Sequence, residues 1–281
     1  EAGEYADTPA GRALERIQNW VDNGNEDQVN IDDRFASRFR SNMRLSLDLA
    51  TRAVMVTNGG STTPVTVNFI GLDMYKVFTD DDGDWGTAIL QGYVTKLHNA
   101  GKRPPFFEGP HDWEFVNRIM NLNITKFHDN KLNYKIGHFE VPYGLEQPIN
   151  TNGTLYDMTH PRNLGVKADW GVTANGVLDR LDYEIGLSRG TGNEYFDRGN
   201  PYVFAGRVGT PRDENFIVGV SYFDGRVANP GAVGMYKSGL VDASGINLNG
   251  VMTRQRYGLD FQYHMEKPIT FMAELNWGRD I

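Results

Sequence analysis

Residues Arg38 to Ala53 read Arg-Phe-Arg-Ser-Asn-Met-Arg-Leu-Ser-Leu-Asp-Leu-Ala-Thr-Arg-Ala. Taken with a period of two, Arg38, Arg40, Asn42, Arg44, Ser46, Asp48, Ala50 and Arg52 fall on one side. Phe39, Ser41, Met43, Leu45, Leu47, Leu49, Thr51 and Ala53 fall on the other. Successive side chains of a strand point to opposite faces, so this is a strand with one apolar face and one wet, largely basic face. Strands of soluble domains also alternate, but they usually stop after about 5–6 residues. Here the alternation outlasts the ~9–11 residues with which a tilted strand crosses a bilayer. The pattern predicts Met43, Leu45, Leu47 and Leu49 toward lipid, and Arg40, Arg44 and Asp48 toward a polar interior. Taken alone, the segment also fits a long strand of a soluble sandwich, because a single barrel strand carries a weak signal.

The alternation recurs down the chain. Leu132, Tyr134 and Ile136 alternate with Asn133 and Lys135. Leu181, Tyr183, Ile185 and Leu187 alternate with Asp182, Glu184, Gly186 and Ser188. Tyr257, Leu259, Phe261 and Tyr263 alternate with Arg256, Gly258, Asp260 and Gln262. About eleven such segments follow one another through hairpin-like connections. Short turns are expected at His128-Asp129-Asn130 and at Asn175-Gly176, the latter a strong hairpin signal. Longer connections are expected over 98–112, 144–163, 190–201 and 225–250, all at one end. Of these, 144–163, with Pro148, Tyr156 and Pro161, is expected to fold inward. Between Val65 and Phe78 the apolar phase slips, which predicts a bulge near Ile70-Gly71. Leu164, Val166, Ala168, Trp170 and Val172 read as one apolar row. A series of this length, with connections of alternating length, favours a closed membrane barrel over a sandwich, since closure removes exposed edges.

The N-terminus differs. Thr8 and Pro9 suit an N-cap and first helical position. Ala13, Leu14, Ile17, Trp20 and Val21 follow at helical spacing, and Asn23-Gly24-Asn25 ends the run. The expected organisation is a short amphipathic helix with a polar connector over 1–33 and an all-β, up-and-down antiparallel transmembrane barrel of 12–16 strands over 34–281, left incomplete at its C-terminal end.

Composition narrows the function. The 281 residues carry a net charge of -8, which argues against nucleic-acid binding. No apolar run approaches the ~18 residues of a membrane helix. The mean hydropathy of -0.49 is compatible with a barrel, whose interior and loops are polar. The absence of Cys removes disulfides, thiolate metal sites, Cys nucleophiles and covalent haem attachment. The six His are scattered without a metal-binding pair, and Asp80 to Asp84 lacks the ligand spacing of a calcium loop, so no metal or cofactor is expected. No nucleophile elbow or nucleotide loop is present, and the expectation is a protein that is not an enzyme.

The run Gly137-His138-Phe139-Glu140-Val141-Pro142-Tyr143-Gly144-Leu145-Glu146 resembles a strand-to-loop segment of Gram-negative porins of the phosphate-selective porin O/P-like group. Asp169-Trp170-Gly171, Arg256-Tyr257-Gly258-Leu259-Asp260 and Ala273-Glu274-Leu275-Asn276-Trp277-Gly278 extend the resemblance. It implies a 16-stranded, often trimeric, water-filled barrel in the outer membrane. This chain departs from that pattern in having fewer strands and no terminal aromatic residue.

These readings converge on an outer-membrane porin in contact with membrane lipid, passing small hydrophilic solutes or anions by diffusion. The expected pore-lining residues are Arg38, Arg40, Arg44, Asp48, Arg52, Asp169, Asp182 and Glu184. The four arginines form a basic ladder that lowers the barrier for anions, or else balance the acids opposite them. A barrel sheath holding a multihaem cytochrome and a soluble carbohydrate-binding sandwich are the alternatives.

Overall fold

The computed structural model describes residues 42–58, 61–81, 83–98, 113–145, 163–192, 199–211, 214–228, 251–264 and 270–281. The expected N-terminal helix and connector lie outside them. Eleven antiparallel strands follow one another in sheet order as in sequence: β1 (Met43–Asn58), β2 (Ser61–Asp80), β3 (Gly83–His98), β4 (Trp113–Ile124), β5 (Asn133–Glu140), β6 (Ala168–Leu178), β7 (Leu181–Ser188), β8 (Tyr202–Gly209), β9 (Phe216–Ala228), β10 (Val251–His264) and β11 (Thr270–Asp280). The all-β meander is therefore as expected, with eleven strands among the described residues where 12–16 were anticipated. The chain divides into two units, Glu1–Asn99 with His111–Leu122 and Ala100–Pro110 with Asn123–Ile281.

In the first unit, β1 and β2 pair without interruption from Met43↔Lys76 to Asn58↔Ser61. The ladder passes through Leu49↔Ile70 and Asp48↔Gly71, so the expected bulge at Ile70-Gly71 is absent. The irregularity lies between Phe78 and Thr79, beside the β2–β3 turn. Apolar residues occupy both phases of this regular strand, Val65, Val67 and Phe69 in one and Ile70, Leu72 and Met74 in the other, and the Tyr93 ring of β3 lies where a Cβ on Gly71 would sit.

In the second unit, β8 and β9 alternate residue by residue between a buried and a more exposed face. In β8, Val203, Ala205, Arg207 and Gly209 are buried while Tyr202, Phe204 and Val208 are exposed. All long connections leave one end of these strands (141–167, 189–201 and 229–250), and the short ones close the other end. His128, Asp129 and Asn130 form a tight turn, all three with positive φ, a conformation that Asn and Asp tolerate well.

Two turn-related expectations are corrected. Asn175-Gly176 lies inside β6, paired with Glu184 and Tyr183, and the turn is Asp179-Arg180, with Asp179 at φ 49°. The Asn175 side chain is engaged laterally, donating to Asn123 Oδ1 (3.0 Å) and accepting from Asn133 (3.4 Å). Gly176 abuts the Lys131 backbone, which leaves no space for a Cβ. Leu164 and Val166 do not extend the β6 row. Gly165 at φ 87° turns the chain, and both apolar side chains are buried.

Contacts of the segment after β5 show that the second unit curls. Gly144 N–H donates to Ser221 Oγ of β9 (2.9 Å), and Leu145 N–H donates to Glu274 of β11 (2.8 Å). Six strand spacings separate β5 from β11, about 29 Å in a flat sheet at ~4.8 Å each. Five residues span at most about 17 Å. The sheet must therefore bend toward the face on which Val141 to Leu145 lie. A Gly-Ser insertion between Asp179 and Arg180 is expected to leave thermal unfolding nearly unchanged. The same insertion between Asn175 and Gly176 is expected to abolish the cooperative transition.

Candidate functional site: a polar inner face beneath an apolar outer one

The inner face of the second unit is built from charged groups that pair across strands. Arg207 of β8 donates to Asp260 of β10 through Nε (3.0 Å to Oδ2) and Nη2 (2.6 Å to Oδ1). The two residues are 2% and 1% exposed. The pair reaches across β9 at Gly219, where a Cβ would press on the guanidinium, so a residue without a side chain is required there. Lys135 of β5 pairs with Glu184 of β7 at 2.7 Å, and Thr173 Oγ1 of the intervening β6 donates to the same carboxylate at 3.0 Å. Charge-assisted bonds of this kind are needed because a buried ion without a partner is costly.

The conformation of the chain after β7 is held by Asp169. Its carboxylate accepts backbone N–H bonds from Trp170 (3.0 Å), Gly190, Thr191 (3.3 Å) and Gly192 (3.0 Å). Gly190 and Gly192 have positive φ, which lets three consecutive amides converge on one carboxylate.

Tyr143 is the centre of the inward segment. Its ring covers Gly258 of β10, and its hydroxyl donates to Asn276 Oδ1 of β11 at 2.7 Å. Burial, with the Glu274 carboxylate nearby, holds its phenol well above the ordinary range. Val141, Tyr143, Leu164 and Val166 join Val203, Ala205, Phe223 and Val227 in one apolar cluster on the inner face. Both ends of the 144–163 connection are thus anchored inside the curl. Arg254 and Arg256 converge on the Asn163 carbonyl, each at 3.1 Å, and Arg256 also pairs with Asp280.

The outer face is the reverse. Leu187 is 57% exposed, Val220 57% and Leu275 64%. Two aromatic rows flank these residues. One runs Phe204–Tyr222–Tyr257–Trp277, with successive centroids 6.2, 5.2 and 6.0 Å apart. The other joins Phe216 to Phe261 (5.2 Å) and Tyr263 (6.5 Å). Tyr257 and Tyr263 are six residues apart, about 20 Å along β10 at ~3.3 Å per residue.

The expected site residues separate accordingly. Arg38 and Arg40 lie outside the described residues, as does the side chain of Arg52, which stands opposite Val67 in the β1–β2 ladder. Arg44 is exposed opposite Tyr75, and Asp48 is half-buried opposite Gly71. Asp48 and Arg118 interact with Asp73, and Arg118 donates to Tyr93 at 2.8 Å. Leu49, Ile70, Leu72 and Phe115 of this unit are exposed, but Met43, expected at the same apolar surface, is buried beside a buried Lys76. Asp182 is half-buried in β7, Glu184 is buried in its ion pair and Asp169 is fully buried among amides. Sequence reasoning missed Arg207, Tyr143, Glu274 and Asn276. The available signal was a charged or polar residue at the inward phase of an otherwise apolar strand, as with Arg207 between Gly206 and Val208.

No family model and no curated protein matches the chain. Among solved structures, one described as "Asymmetric conductivity of engineered proteins" aligns over 84% of this chain and 95% of its own, at 10% identity and a TM-score of 0.25. A likeness at that level carries no argument about fold or function.

Two outcomes follow from the inner face. Asp260→Asn strands a buried guanidinium and is expected to destabilise by about 3–5 kcal/mol, whereas Arg207→Met with Asp260→Leu costs far less, as measured by denaturant unfolding. The raised phenol of Tyr143 means that the folded chain holds that proton more tightly than the unfolded one. Its contribution is complete below the free phenol pKa of about 10 and declines as pH rises above it. Thermal unfolding from pH 9 to 11 should therefore fall less steeply in Tyr143→Phe.

Proposed function

We propose that this chain forms a transmembrane β-barrel of the outer membrane and passes small hydrophilic solutes by diffusion. The observation that carries the reading is the inversion of faces in the second unit. Large apolar side chains point out and are exposed, whereas Arg207–Asp260 and Lys135–Glu184 are buried within. A water-soluble sandwich would place these sets the other way round. A surrounding apolar solvent makes the outward Leu and Val rows favourable, and aromatic rows at both ends of the band suit its two interfaces with water.

The inner face offers paired charges and backbone amides at close range. Such a lining presents many weak sites and lets a hydrated solute enter and leave. The inward segment at Tyr143 narrows that path. Arg44, with Arg38, Arg40 and Arg52, belongs to the basic face of the first segment and is proposed to give a mild anion preference, since Arg stays charged at all working pH values.

The purified protein added to a planar bilayer should give stepwise conductance increments, with a reversal potential in a KCl gradient that shifts toward cation preference in Arg40→Ala/Arg44→Ala. Absence of conductance from protein that has inserted would refute the channel reading. Leu187→Arg places a charge in the apolar band and should cost about 2–4 kcal/mol near the midplane, read from unfolding in lipid. An unchanged stability would remove Leu187 from the lipid surface.

A further inference from the structure

The outer face of the second unit does not end at its aromatic row. The ladders place Phe204, Asp224, Gln255 and Arg279 side by side one row beyond Tyr222, Tyr257 and Trp277. Tyr202, Arg226 and Thr253 form the next row. Both rows lie at the long-connection end and share the outward phase of the exposed apolar band. Their polar groups are tied together. Gln255 donates to the Tyr222 hydroxyl at 2.9 Å and accepts from Arg279 Nε at 3.2 Å, and the Tyr202 hydroxyl donates to Asp224 at 3.1 Å. These bonds hold Arg279 through one nitrogen and turn Asp224 toward Tyr202. Among the described residues, neither Arg226 nor Arg279 has a salt bridge to an acid, and Asp224 is the one acid in these two rows.

We infer that Arg226 and Arg279 hold the phosphate of an anionic lipid whose acyl chains lie along the apolar band between the two aromatic rows. The inference rests on the membrane reading given above. Two guanidiniums against one carboxylate leave the patch cationic, and the phosphate of a lipid sits at the depth just beyond an interfacial aromatic row. Guanidinium groups match phosphate oxygens in geometry as well as charge. Tyr202 and Gln255 add neutral hydrogen-bonding groups beside them. At the short-connection end the corresponding outward positions, Phe216, Tyr263 and Phe271, are aromatic, so the cationic patch marks one interface of the band and not both.

The test uses the full chain in detergent, titrated with phosphatidylglycerol or phosphatidylcholine and read by native mass spectrometry. The wild type should retain phosphatidylglycerol at least about tenfold better than phosphatidylcholine. Arg226→Gln/Arg279→Gln should lose that preference while keeping its circular dichroism spectrum and its conductance. Arg180→Gln, at the short-turn end, should keep it. Equal retention of both lipids by wild type, or loss of the preference in Arg180→Gln as well, would overturn the site while leaving a conducting barrel intact. Failure of the wild type to insert into vesicles of either lipid would overturn the membrane reading and this site with it.

Discussion

An uninterrupted antiparallel ladder is the interaction on which the rest of this protein depends. In the second unit the side chains that cover one surface of the sheet are Leu, Val, Ile and aromatic residues, and none of them can serve a backbone N–H or C=O. Each main-chain group between them has to be satisfied by the neighbouring strand, because an unmet backbone group next to apolar surface costs several kcal/mol. The regular pairing of β5 through β10 with their neighbours meets that demand. It also explains why turns are confined to the strand ends and why Asn175-Gly176, for all its turn chemistry, stays extended.

The ladder in turn constrains the inner face. Strands about 4.8 Å apart bring side chains two strands away within reach of a long residue, provided that the strand between them carries little bulk. Gly219 beneath Arg207 and Gly258 beneath Tyr143 both meet this condition. Gly219 lets Arg207 lie flat across β9 and reach Asp260 two strands away, and Gly258 lets the Tyr143 ring, at the start of a long connection, lie flat on β10 and reach Asn276 of β11. Replacement of either hydrogen by a methyl group would lift the covering group and unmake its bonds.

Curvature then determines which groups meet. Val141 to Leu145 bond to β9 and β11 only because the sheet bends toward them, and the same bend buries Leu164 and Val166 with Phe223 and Val227. The apolar cluster at this end and the ion pairs further along are two parts of one inner surface. One part fastens the long connection and the other balances charge. Asp169 links them to the next connection by collecting three successive amides.

Much of this was legible in the residues. Period-two alternation specified an all-β chain of successive antiparallel segments, though not the 12–16 strands anticipated, together with the outward rows such as Leu181-Ile185-Leu187 and the alternation of long and short connections, since each is a property of the local pattern. Glu184 and Asp182 fall on the polar phase of β7 for the same reason. Partners were not legible. Whether Glu184 meets Lys135, whether Arg207 crosses Gly219 to Asp260, and whether Asp169 faces water or amides depend on register and bend, which join residues 20 to more than 100 positions apart. Sequence by itself determined the faces, because side-chain direction alternates with backbone geometry alone. Tertiary structure decided the contacts on those faces, because a hydrogen bond needs its partners within about 3 Å, and only the paired, curved sheet sets distances that small.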